Sequence, residues 1–309
     1  MKEKLKELLE STGANYFSSN KSKEKWQKDY EKKLKSIYHD EPWLTFMAIY
    51  ALFGKGDYTS LQKGVPALNA VLRTSNMDYP EFLEIKVVKV ERRLIEVRSL
   101  RNHVKETLRK KNIKHLYPDR EEKLEKKIGK PGTKETVSSF EGNTNLDLYI
   151  CGKDTAGNKI ALYIEAKFLS DISHDTTYLI GRDQIIRNID SLIDDHFEEF
   201  DCNIDHKYFL LLTPELFKES KVGNQYIESL YPAKSRLYCY KYLEYKNASN
   251  LKKCLPYRTK FTNADWINLA NRVGWITFDD IIKQANKLDS NDSDFKEIVN
   301  NFFKERNLT

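Results

Sequence analysis

Asn145-Leu-Asp-Leu-Tyr-Ile150 and Ile160-Ala-Leu-Tyr-Ile-Glu-Ala-Lys-Phe168 decide how this chain is read. Both stretches alternate apolar and polar residues as half-buried strands do, and a turn-rich segment, 151–159, separates them. Strand side chains alternate with a period of two, so Ile160, Leu162, Ile164, Ala166 and Phe168 share one face and Tyr163, Glu165 and Lys167 the other. An ordinary solvated strand carries charges outward too. What singles this one out is Asp147 on the preceding strand, amid Leu146, Leu148 and Ile150. A hairpin brings Asp147 beside the Glu165/Lys167 face, where two carboxylates and one ammonium converge.

The rest of the chain sets the frame. At 309 residues it is long enough for one large domain or two unequal ones. Its net charge of +6 is unevenly spread. Residues 1–134 carry 30 Lys and Arg against 19 Asp and Glu, and the remainder carry 22 against 27. A basic half beside an acidic half suits a polyanion held by one part and cut by the other; a Lys-rich solvated helix surface gives the same count. The four cysteines are widely spaced, with no Cys-x-x-Cys, and read as free thiols rather than a zinc site. The amino terminus is a charged amphipathic helix without a signal-peptide core, and the longest apolar run, 43–53, is too short to span a bilayer. A cytoplasmic protein without membrane association is expected. Gly54-Lys-Gly56 lacks the residues of a dinucleotide fingerprint or a phosphate loop, so no nucleotide cofactor is expected.

Residues 1–130 are expected to be mostly helical and basic. Candidate helices are a short one around Leu5, Leu8 and Leu9, then 23–38, 43–53 with Pro42 in the first turn, 61–72 and a long one over 80–111. In the last, Leu83, Val87, Val90, Leu94, Val97 and Leu100 recur at spacings of three and four, and the other face carries Arg92, Arg93, Arg98, Arg101 and Lys105. Gly129-Lys-Pro-Gly-Thr133 marks the domain boundary. Beyond it, in 131–309, strands are expected near 137–140, 145–150, 160–168, 208–213 and 237–243, and helices over 182–197, 264–273, 278–288 and 294–304. An antiparallel pair, a helix and a further buried strand describe an α/β sheet with helical cover.

Asp147, seventeen intervening residues, then Glu165-Ala-Lys167 is a pattern with a chemical use. A hard dication such as Mg²⁺ takes two or more carboxylate oxygens and keeps several waters, which suits Asp147 and Glu165, with the Ala166 carbonyl as a further ligand. Lys167, on the Glu165 face, would orient a water or steady the charge on phosphorus.

These residues resemble the core motif of the PD-(D/E)XK nuclease superfamily, and the resemblance covers residues 135–213. It implies a restriction-endonuclease-like fold: a mixed β-sheet flanked by helices, here preceded by the mostly helical region. It also implies that Asp147 and Glu165 bind Mg²⁺, with Mn²⁺ able to substitute, while Lys167 assists phosphodiester hydrolysis. Leu146 stands where the name-giving motif has Pro. In the superfamily the helix after the Lys strand often carries Gln or Arg. Here Gln184, Arg187, Asn188 and Ser191 lie on one stripe opposite the isoleucine face, and by that resemblance Gln184 and Arg187 contact the scissile phosphate or the attacking water. A solvated helix face is the plainer reading of the same stripe. Asp183 reads as a helix cap, with Arg182 also serving the helix start. A further acid on a helix before the first strand is common in the superfamily, and Glu121, Glu122, Glu125 and Glu141 are all candidates. Asp171 and His174 sit in the loop after the Lys strand.

The expected function is that of a Mg²⁺-dependent DNA nuclease, an endonuclease in restriction or phage defence. Arg101, Lys105 and Arg187 would hold backbone phosphates. Cutting both strands takes two active sites, which a homodimer would supply. The rivals are a catalytically inactive nuclease-fold protein that binds nucleic acid or acts as a scaffold, and an accidental Glu-x-Lys on a strand of an unrelated α/β enzyme.

Overall fold

Three of the expected strands, at 145–150, 160–168 and 208–213, are present in the computed structural model, which describes residues 7–8, 10, 12, 15–17, 23–28, 41–94, 100, 145–168, 182–195, 204–219, 241–288, 293–306 and 308. In chain order its elements are α1 (Glu41–Phe53), α2 (Tyr58–Leu72), β1 (Phe82–Arg93), β2 (Asn145–Asp154), β3 (Lys159–Ala166), α3 (Gln184–Asp194), β4 (His206–Thr213), α4 (Glu215–Glu219), α5 (Lys241–Tyr245), α6 (Ala248–Cys254), α7 (Asn263–Asn271), β5 (Val273–Thr277), α8 (Phe278–Ala285) and α9 (Ser293–Lys304). The strands form one sheet in the order β1-β2-β3-β4-β5. β1, β2 and β3 pair antiparallel; β3, β4 and β5 pair parallel. This is an α/β fold with a mixed, open sheet.

The tight β2–β3 turn is built by Asp154, whose carboxylate accepts the backbone N–H groups of Ala156 and Asn158, and by Gly157 in the left-handed region at φ 85°. That turn sets the register Leu148↔Ile164 and Ile150↔Leu162. The alternation expected of β3 holds: Ile160, Leu162, Ile164 and Ala166 face one core with α1, α2 and α8, whereas Ala161 and Tyr163 face a second core with α3 and α7. Both faces are covered, so β3 is buried rather than half-buried. Parallel pairing requires such cover, because the β3–β4 crossover lays α3 across the sheet. α1 is buried from Trp43 to Phe53, as a helix apolar on all sides must be.

Three elements depart from expectation. Residues 82–93, expected within the long helix, form edge strand β1. Its pairing with β2 shifts register between Phe82 and Glu84 and again between Ile85 and Val87, so Phe82, Ile85, Val88 and Val90 are the buried residues. Two bulges thus stretch a period of two into spacings of three, and Leu83, assigned by its spacing to the apolar face of a helix, is exposed instead. At Gly152 a Cβ would stand 1.9 Å from the Glu84 carbonyl oxygen, which explains a glycine inside β2. Arg92, expected on an exposed basic helix face, is instead paired with Asp195 at 2.6 Å and lies 4.3 Å over the Tyr149 ring. The second departure is β5, which occupies residues read as the junction of two helices. Gly274 lets it approach Leu210 and Met77, where a Cβ would meet side-chain atoms at 2.8 and 2.7 Å. Residues 241–243, expected in a strand, are helical in α5.

The strand expected at 137–140, the boundary at 129–133, and Arg101 and Lys105 lie outside the described residues. Among the described residues no helix is long and apolar enough to cross a membrane, and Cys151 and Cys254 are free thiols.

Candidate active site

The β2–β3 ladder carries Asp147 one residue past the Leu148↔Ile164 pair, opposite Glu165. Asp147 Oδ2 accepts the Ala166 N–H at 2.8 Å, which ties the start of β2 to the end of β3. Glu165 and Lys167 lie on the α3 side of β3. Lys167 Nζ stands 2.9 Å from Glu165 Oε1, with the two side chains only 8% and 1% exposed. α3 begins directly over them. Asp183 caps it, accepting the Ile186 N–H at 2.9 Å, as its sequence position predicts. Gln184 Nε2 then donates to Glu165 Oε1, and Asn188 Nδ2 donates to Glu165 Oε2 at 2.8 Å. The two amides are one helical turn apart and so point from one stripe. That stripe faces inward: Asn188 and Ser191 are buried, not solvated. Arg187, half-buried, precedes Asn188 on the same helix.

A third acid completes the cluster. Glu41, at the start of α1, accepts from Lys167 Nζ at 3.2 Å and from the Phe168 N–H at 3.0 Å. It is an acid on a helix ahead of the first strand, the position where a further carboxylate was expected, but it was not among the candidates. Glu121, Glu122, Glu125, Glu141, Asp171 and His174 lie outside the described residues. The only local signal for Glu41 is its place immediately before Pro42 at the head of the apolar run.

Electrostatics follow from crowding. Burial, then the neighbouring charges of Glu165 and Glu41, hold the Asp147 carboxyl well above the usual carboxylate range, against the opposing pull of Lys167 and the Ala166 N–H. For Lys167, burial alone would favour the neutral amine. The carboxylates of Glu165, Asp147 and Glu41 outweigh it, so its pKa is raised and it is a firmly charged ammonium.

α3 itself is anchored from behind. Asp190, fully buried, accepts from Arg182 at 2.6 Å, from Arg258 at 2.7 and 2.8 Å, and from the Tyr257 hydroxyl; Tyr245 donates to Asp183. Arg182, expected at the helix start, thus braces the helix about two turns further on. Trp266 and Trp275 are core residues, as expected.

Among the described residues no three His, Cys, Asp or Glu side chains stand as a preformed metal cage; the Lys167 ammonium lies between Glu165 and Glu41 as their counter-charge. The donor chemistry nonetheless fits a hard dication. Asp147, Glu165 and Glu41 offer carboxylate oxygens only, and a cation would offset both the burial and the like-charge crowding that raise the Asp147 pKa. No protein-family model matches the chain, and no curated protein or solved structure matches it significantly.

Proposed function

We propose that this protein is a Mg²⁺-dependent nuclease of the PD-(D/E)XK, restriction-endonuclease-like class that hydrolyses phosphodiester bonds in DNA. An endonuclease role in restriction or phage defence fits this reading. The observation that carries it is the junction of Asp147, Glu165, Lys167 and Gln184 at the end of two neighbouring strands, under the start of the helix that follows. An antiparallel β1-β2-β3 meander continued by parallel β4, with α3 across the crossover, supports the fold class.

Asp147, Glu165 and Glu41 would hold Mg²⁺ (or Mn²⁺), with the Ala166 carbonyl as a further oxygen. The ion would make a bound water more acidic and neutralise charge on phosphate. The chain's own residues do the rest. Lys167, permanently charged, donates to the attacking water or to a phosphate oxygen as negative charge builds. Gln184, held on Glu165 at the capped end of α3, orients the water from the helix side. Burial of Lys167 and Glu165 lowers the local dielectric, so each of these contacts counts for more than it would in water.

Plasmid cleavage tests the proposal. Wild-type protein should cut in Mg²⁺ and not in EDTA, and Asp147→Ala and Lys167→Ala should each lose about a hundredfold or more of the rate. Equal behaviour of all three proteins would sink it. A scaffold that kept the fold would bind no Mn²⁺ through Glu165, so a Mn²⁺ titration of Glu165→Gln separates that rival.

A further inference from the structure

An ionised carboxylate offers four acceptor positions, two on each oxygen. On Glu165, Oε1 receives both Lys167 Nζ and Gln184 Nε2, which fills it. Among the described residues Oε2 receives Asn188 Nδ2 and no other donor, which leaves one position there. The amide that supplies this last donor is itself out of place as packing. Asn188 is 0% exposed, and its Oδ1 is buried without a partner among the described residues. A buried acceptor without a donor costs stability, which an apolar side chain between helix and sheet would avoid.

We propose that Asn188 is a positioning residue for Glu165. Its Nδ2–H fixes the turn of the carboxylate so that the remaining Oε2 lone pair is the one offered to a cation, and Glu165 ligates through Oε2 alone. The unpartnered Oδ1 belongs to the same amide and would accept an O–H from a water bound to that cation. Gln184 cannot substitute, because it is committed to Oε1. This rests on reading Asp147, Glu165 and Lys167 as a metal-dependent site.

The test is Mn²⁺ binding by calorimetry on the full chain without DNA, together with the Mn²⁺ concentration giving half-maximal plasmid cleavage. Asn188→Ala and the volume-keeping Asn188→Leu are compared with wild type, and thermal melts establish that each is folded at the assay temperature. In either variant that folds, Mn²⁺ affinity should fall about tenfold or more, with a matching rise in the half-maximal concentration, whatever its melting temperature. A purely structural Asn188 would move the melting temperature and leave Mn²⁺ affinity of the folded protein within about twofold of wild type, which overturns the inference alone. A wild type that binds no Mn²⁺ overturns the site reading and this inference together.

Discussion

The carboxylate of Asp147 accepts the backbone N–H of Ala166 at 2.8 Å, one residue from Glu165, and so the acid on β2 is fixed by the strand that carries the other acid. The two like charges are therefore held together by backbone pairing, not by mutual attraction. Lys167 is what makes the arrangement tolerable in a metal-free protein.

Asp147 has a measurable pH signature. Its carboxyl titrates above its unfolded value of about 3.9, so the stability it contributes is full below that pH and is lost as pH rises through the raised folded value. Metal-free wild type should therefore lose stability from weakly acidic pH upward, and Asp147→Asn should flatten that slope in urea melts. Millimolar Mg²⁺ should restore stability to wild type and not to the variant.

Lys167→Met should destabilise the metal-free protein by about 3–5 kcal/mol, because it leaves Glu165 and Glu41 without their buried counter-charge. The sign of the lysine's own linkage is fixed by its raised pKa: its contribution is present below the ordinary lysine value of about 10.4 and fades as pH climbs past it. Denaturant midpoints at neutral and strongly alkaline pH check both statements. A Met variant as stable as wild type at neutral pH would contradict them.

Asp190→Ala tests whether α3 is held from behind. It strands Arg182 and Arg258 in the interior, and a loss of about 3–5 kcal/mol is expected. Because Asp190 does not touch Glu165, cleavage per folded molecule should change far less than in Gln184→Ala. A variant of unchanged stability would remove the brace from the account.

How much of this was legible beforehand depends on the range of the interaction. Residues 145–168 were readable because two period-two runs and one turn fix a hairpin locally, and the hairpin fixes which residues share a face. The amphipathic α3 and its Asp183 cap were readable for the same reason. β1 was not: Leu83, Val87, Val90 and Leu94 recur at spacings of three and four as on a helix face, whereas the two register shifts bury Phe82, Ile85 and Val88 and leave Leu83 exposed. β5 was hidden by its length, five residues with a glycine, between two genuine helices. Glu41 was hidden by distance: it meets Lys167 from 126 residues away, and no local pattern records such a contact.

A crystal structure with Mn²⁺ tests the central claim most directly, since the ion's anomalous scattering locates it independently of any assay. The prediction is an anomalous peak ligated by Asp147 and Glu165 at about 2.0–2.2 Å, with Glu41 within reach of the ion or its waters. Full soaking with no Mn²⁺ peak at these carboxylates, and the Lys167–Glu165 ion pair unchanged, would contradict it.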